Sequence, residues 1–186
     1  MAFGWEGEKV RLVPLERTRH FENCIRWLND PQVTAWLLIG DFPLTRLQEE
    51  EFFDSVSRPG EAQTNLALAI ETLEEEHLGV CGLHNISFRH GVATSGTFLG
   101  RPQLWNRGYG TDAVALRTRY AFEVLGLRLL LTEVMAENVG SARVLLKNGY
   151  EECGRIPGRY WKRGAYRDCI QLVLTRERWL QRVRPD

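Results

Sequence analysis

The chain has 186 residues, 44% hydrophobic and 26% charged, which excludes wholesale disorder and gives one ordinary domain the apolar surface for a full core. Its 24 lysines and arginines balance 24 aspartates and glutamates, so the basic excess of a general nucleic-acid binder is missing. The four cysteines (Cys24, Cys81, Cys153, Cys169) and four histidines (His20, His77, His84, His90) form no Cys-x-x-Cys or His-x-x-x-His pair, which argues against a metal site and a disulfide framework. No cationic segment followed by an apolar run opens the sequence, and no run reaches the roughly 18 apolar residues that span a bilayer. The expectation is a soluble cytoplasmic protein, monomer or homodimer, with no membrane, metal or nucleic-acid partner.

In chain order, "EKVRLVPLE" (8–16) alternates apolar and polar residues as a strand does. "TRHFENCIRWLNDPQVTAWL" (18–37) spaces Phe21, Cys24, Ile25 and Leu28 as a helical stripe, with Thr18 as the expected cap and Asn29-Asp30-Pro31 as the break. "PLTRLQEEEFFDSV" (43–56) reads as a second helix capped by Thr45, and "SRPGEAQ" (57–63) as a loop. "TNLALAIE" (64–71), "HLGVCGLHNISF" (77–88) and "VATSGTFLG" (92–100) form an expected antiparallel meander. Ala113, Leu116, Tyr120 and Val124 mark a helix that Gly126 stops, and "LRLLLTEVMAEN" (127–138) is a buried strand. "SARVLLKNG" (141–149) is a short helix; "YEECGRI" and "RDCIQLVLT" (167–175) make a hairpin around "PGRYWKRGAY" (157–166).

Ahead of the third helix lies "WNRGYGTDA" (105–113). The first amides of a helix lack internal partners and carry the positive end of its dipole. Glycines let a phosphate approach those amides with no β-carbon in the way, and Arg107 adds charge. The stretch lacks the Gly-Lys-Ser/Thr end of a nucleoside-triphosphate loop and is too short for the dinucleotide fingerprint. On these residues alone it is either a phosphate cradle or a glycine turn with Thr111 as cap.

The segment from "RPQLWNRGYG" to "KNGYEECGRI" resembles the acetyl-coenzyme A-binding core of the GNAT superfamily of N-acetyltransferases, whose Q/R-x-x-G-x-G/A turn holds the coenzyme pyrophosphate. Gly108 and Gly110 match, while Trp105 stands where glutamine or arginine is usual. Tryptophan there is typical of one branch, the ribosomal-protein N-terminal acetyltransferase-like group. "VRLVPLE", "RWLNDPQVTAWL", "FPLT", "SGTFLG" and "GRYWKRGAYRDCIQLVLTRERW" resemble further pieces of that branch, so the likeness covers nearly the whole chain. It implies an α/β (α+β) domain over residues 1–186, a central mixed, mostly antiparallel sheet flanked by helices. The element order is strand, two helices, meander, helix, strand, helix, hairpin.

The activity implied is transfer of acetyl from acetyl-CoA to a primary amine by direct attack in a ternary complex, without a metal. The coenzyme contacts implied are Asn106, Arg107, Gly108, Tyr109, Gly110 and Thr111 in the turn, and the backbone of Phe98 and Leu99 on the central strand. Asn138, Ser141 and Arg143 join them, with Lys147 a weaker candidate. Many relatives place a tyrosine where this chain has Leu145, which cannot protonate sulfur. Ser141 is the hydroxyl best placed by analogy, or else a plain helix-start residue; Asn138 is an N-cap, a contact to the pantetheine arm, or both. Glu133 and His84 are candidate bases, with a water relay as the expected route. Trp36, Tyr160, Trp161 and Tyr166 offer aromatic walls for the acceptor, with Asp41 or Asp168 as charge. The acceptor is a peptide N-terminus or a small amine such as a polyamine, aminoglycoside or amino sugar. The alternative is a coenzyme A-binding regulatory module without catalysis.

Overall fold

The computed structural model describes residues 5–57 and 64–183, so most of the expected loop "SRPGEAQ" lies outside the described residues. A two-residue strand β1 (Trp5–Glu6), absent from the expected elements, pairs with β2 (Val10–Pro14). Helix α1 (Arg17–Leu28) buries Phe21, Cys24 and Leu28 and ends at Asn29, ahead of the proline. Thr18 is not its cap. The N-cap is Glu16, whose amide donates to His20 Nδ1 at 2.8 Å, so a side chain one turn inside satisfies the entry. Helix α2 (Arg46–Ser57) opens with a reciprocal box: Gln48 N–H donates to Thr45 Oγ1 at 3.3 Å and Thr45 N–H to Gln48 Oε1 at 3.0 Å.

The meander is β3 (Leu66–Thr72), β4 (His77–Ser87) and β5 (Val92–Leu99). Helix α3 (Tyr109–Arg119) runs into a π turn (Tyr120–Val124) and stops at Gly126, φ 66°. Strand β6 (Leu129–Met135), helix α4 (Val139–Lys147), strands β7 (Glu151–Lys162) and β8 (Ala165–Thr175) and helix α5 (Arg176–Val183) follow. The sequence reading did not set α5 apart, although Thr175 Oγ1 accepts the Arg178 amide at 3.2 Å as a cap and Trp179 is buried. The segment 157–166, expected as a loop, is mostly strand. Its turn is only Arg163-Gly164, both at positive φ (52° and 76°), and Pro157-Gly158 fall where the register shifts between Ile156 and Tyr160.

The eight strands lie in the order β1-β2-β3-β4-β5-β6-β8-β7, mixed and mostly antiparallel, with β5–β6 the parallel pair. Helices α3, α4 and α5 cover one face through Val114, Phe122, Leu145 and Trp179 packed on Leu130, Val134, Leu172 and Leu174. Helices α1 and α2 cover the other face through Phe21, Cys24 and Phe53 on Val13, Leu15 and Ala69. Period-two alternation along each strand decides which residues meet which helix layer.

Candidate active site

Strands β5 and β6 pair only at Val92↔Leu129, Ala93↔Leu130 and Thr94↔Leu131. Beyond that, β5 stays with β4 as far as Leu99↔Gly79, while β6 stays with β8 as far as Met135↔Cys169, so the sheet opens into a notch. At its crotch Thr132 Oγ1 donates to the Ser95 carbonyl at 2.9 Å; at its mouth Trp105 Nε1 donates to the Leu99 carbonyl at 3.0 Å. The Phe98 carbonyl faces the other way: a Cβ on Gly79 would sit 2.1 Å from it, which is why only glycine fits there. Antiparallel pairs alternate between bonded and non-bonded, so the peptide edge in the notch belongs to Thr97 and Leu99, with the Leu99 carbonyl already accepting from Trp105.

The glycine turn lies at the mouth. Asn106 (φ 62°) and Gly108 (φ 90°) adopt left-handed backbone on either side of Arg107, an alternation that makes successive amides converge. Gly108 is the N-cap of α3 and has no side-chain cap; Thr111 does not supply one. Among the described residues, no hydrogen bond uses the amides of Gly108, Tyr109, Gly110 or Thr111. The acid of this first turn, Asp112, is turned away and takes the Lys9 and Val10 amides at 2.8 and 3.0 Å, tying β2 to α3. Lys9, which sequence reasoning missed, donates from Nζ to the Arg107 carbonyl at 2.9 Å and so brings a second cation to the turn. Arg107, Arg143 and Lys147 are exposed and make no ion pair among the described residues. Asn148 Nδ2 donates to the Thr111 carbonyl at 3.2 Å, clipping the end of α4 to the first turn of α3.

Asn138 caps α4, its Oδ1 accepting the Ser141 amide at 3.1 Å, while the half-buried Ser141 hydroxyl makes no hydrogen bond among the described residues. Leu145 is part of the core. At the crotch, buried Arg117 donates from Nη1 to the Gly96 carbonyl (2.9 Å) and Thr97 Oγ1 (2.5 Å), and from Nη2 to the Tyr150 hydroxyl (3.3 Å). Neither Arg117 nor Tyr150 stood out in the sequence, because the signal is a tertiary contact. On the opposite sheet face His84 lies over Gly96, its Nε2 3.6 Å from where a Cβ would be. Partial desolvation and the Arg117 charge hold His84 below the usual histidine pKa, so it is neutral near pH 7.

Glu133 lies on this same face but is already engaged. Tyr160 donates to its Oε2 at 2.5 Å, Gln171 Nε2 to its Oε1 at 2.9 Å, and Arg159 stands 3.4 Å away. Burial pushes its pKa up, but the Tyr160 and Gln171 bonds and the Arg159 charge outweigh that and hold it below the usual glutamate value. Trp36 joins this face through Arg167, which stacks on its ring and stands cross-strand from Tyr160. Trp161 and Tyr166, paired with each other, point to the other side of the hairpin by strand alternation, so the structure does not bring them together with Trp36 and Tyr160. Lys162 pairs with Asp41 at 2.8 Å, and Asp168 Oδ1 accepts the Gly158 amide at 2.9 Å at the hairpin bulge. A cavity of 540 Å³ lined by Pro14, Arg17, Val56, Leu68 and Tyr120 shares no residue with the notch. Among the described residues no His/Cys/Asp/Glu group is arranged to hold a metal, and no helix is long and apolar enough to cross a membrane.

Free converging amides beside exposed cations, leading to an open strand edge, fit a long ligand with a diphosphate at one end and amide groups along its arm. Comparison with known proteins agrees. Residues 9–151 match the acetyltransferase (GNAT) domain family. An uncharacterised N-acetyltransferase of Bacillus licheniformis, p20, is 26% identical over 158 residues, 84% of this chain and 86% of its own length. A GCN5-related N-acetyltransferase from Brucella melitensis superposes with TM-score 0.74 at 26% identity, covering 96% of this chain and 81% of that one. A spermidine N-acetyltransferase from Vibrio cholerae, solved with CoA and spermine, shares the fold at TM-score 0.84 and 17% identity, covering 94% and 99%. The chain belongs to the GNAT superfamily, and it is an N-acetyltransferase that uses acetyl-CoA.

Proposed function

We propose that this enzyme acetylates the single α-amine of a peptide N-terminus, as in the ribosomal-protein N-terminal acetyltransferase-like branch, with both substrates bound at once. The observation that carries the acceptor class is that the carboxylates on the acceptor side already have partners. Glu133 has Arg159, Asp41 has Lys162 and Glu137 has Arg167, while Asp168 is tied to the Gly158 amide, so a polyamine would have to displace an existing partner at each of them. The available base points the same way. An α-amine titrates near about 7.7–8.0, roughly 2–3 units below an alkyl amine, so a sizeable fraction is neutral at pH 7 and a weak base suffices.

Acetyl-CoA, when bound, supplies an acetyl thioester and a thiolate leaving group. The Gly108–Thr111 amides, with Arg107, hold the diphosphate; Arg143 and Lys9 add charge. The Thr97 backbone groups and the Leu99 amide pair with the amide-bearing arm as an added strand, and the bond from Trp105 to the Leu99 carbonyl fixes the mouth. Asn138 and Ser141 face the arm from α4. His84, neutral and on the acceptor face, takes the amine proton, while Glu133 holds Tyr160 as one wall of the acceptor site, with Trp36 as another. Positioning of this kind supplies up to about 7–11 kcal/mol of barrier lowering, and proton transfer on the order of 10²–10⁴-fold.

Thiol release from acetyl-CoA across a panel of free-N-terminal peptides, N-blocked peptides, spermidine and an aminoglycoside tests the reading. Turnover with free peptides and none with their blocked forms is expected. Faster turnover with spermidine than with any peptide contradicts the acceptor class. Tight coenzyme binding without release from any amine of the panel would also contradict the acceptor class.

A further inference from the structure

Arg117 is 1% exposed, its Nε has no partner, and no carboxylate among the described residues pairs with it. Burying a guanidinium with no counter-charge is unfavourable even when it is hydrogen-bonded, so packing does not account for it. It lies at the crotch of the notch, where β5 and β6 converge and where an arm entering from the glycine turn ends. A guanidinium only donates hydrogen bonds. The Tyr150 hydroxyl therefore accepts from Arg117, which leaves its own proton for another acceptor, and Ser95 Oγ lies 3.4 Å away. With Tyr150 as the donor of that pair, Ser95, buried on the same sheet face as α4, keeps its own proton to donate.

We infer that Arg117, Tyr150 and Ser95 form a one-way donor chain that stabilises the departing sulfur, acting alongside the Ser141 hydroxyl of α4, where Leu145 fills the place of a tyrosine. The inference rests on the reading of the notch as the thioester site. As the amine nitrogen bonds to the carbonyl carbon and the C–S bond breaks, the bonding pair stays on sulfur. The amine's proton goes to His84, and the thiolate accepts a hydrogen bond from Ser95 until solvent protonates it. Arg117 touches no reacting atom; it is a positioning residue that orients the two hydroxyls and places positive charge behind them. The other titratable groups facing this point are His84 across Gly96, Cys81 on β4 and Glu133 on β6. None of them pairs with the guanidinium.

The test is titration of the thiol of bound coenzyme A by its thiolate ultraviolet absorbance, subtracting protein loaded with desulfo-coenzyme A. In the wild type the bound thiol should titrate about 1 pH unit or more below free coenzyme A. Arg117→Met should abolish that shift, Arg117→Lys should restore most of it, and Tyr150→Phe should reduce it. Affinity for desulfo-coenzyme A should stay the same in all variants that fold. If Arg117→Met fails to fold, Tyr150→Phe carries the test alone. Identical bound-thiol titration in wild type and variants overturns the inference while leaving the coenzyme site standing. No coenzyme binding by the wild type overturns the site itself, and this inference with it.

Discussion

At the scale of single residues, two glycines of one motif do different work. Gly108 holds φ 90°, where a side chain is strained, whereas a Cβ on Gly110 would meet Leu99 and Val144 at ordinary contact distances of 3.6 and 3.9 Å. Gly108→Ala should therefore weaken coenzyme binding by about tenfold or more and lower stability by about 1 kcal/mol, while Gly110→Ala should fold as well as wild type; calorimetric titration and thermal melts check both. Arg107→Glu should weaken binding, and more so at low salt. His84 titrates below the ordinary 6.5, so with both substrates saturating the acid limb of kcat should lie below that value, and His84→Ala should remove it. An unmoved limb would exclude His84 as the base. Glu49 poses a separate question. It is 3% exposed with Oε1 unpartnered, and burial raises its pKa from 4.5 to about 7. Between those values the folded state keeps a proton that the unfolded state has released, so stability falls as pH rises through the window. Glu49→Gln should stabilise by about 1–3 kcal/mol at pH 8 and by little at pH 5, read as the difference in Tm.

At the scale of elements, local devices were legible in the sequence and long-range ones were not. The Thr45–Gln48 box and the Asn138 cap lie within one turn of the helices they start, so residue type and spacing reveal them. The Arg117–Tyr150 and Ser95–Tyr150 contacts join residues 33 and 55 apart, and only the packing of α3 and of Tyr150, just after α4, against β5 creates them. The carboxylate–cation pairs of the acceptor face are likewise tertiary. The hairpin misled because Pro157 and Gly158 read as a loop, whereas a bulge takes them up and Asp168 ties the bulge down. Asn138 sits on the boundary between structure and function. Asn138→Ala should cost about 1 kcal/mol through the lost cap, and Asn138→Asp should restore that stability. A fall in coenzyme affinity in both variants would show that the amide group also touches the arm.

At the scale of the molecule, the parallel pair β5–β6 generates the site. Two parallel strands that part after three pairs leave one face of the gap to α3, α4 and Tyr150, and the other to His84 and Glu133. A donor and an acceptor can then approach the same point from opposite sides of one sheet, the donor's arm anchored at a helix N-terminus. Amide-resolved NMR during titration with coenzyme A examines this most directly. The largest shifts should fall at Gly108, Tyr109, Gly110 and Thr111, with Thr97 and Leu99 following at the same ligand concentration. Binding that instead moved the lining of the Pro14–Val56 cavity, leaving those amides unchanged, would contradict this arrangement.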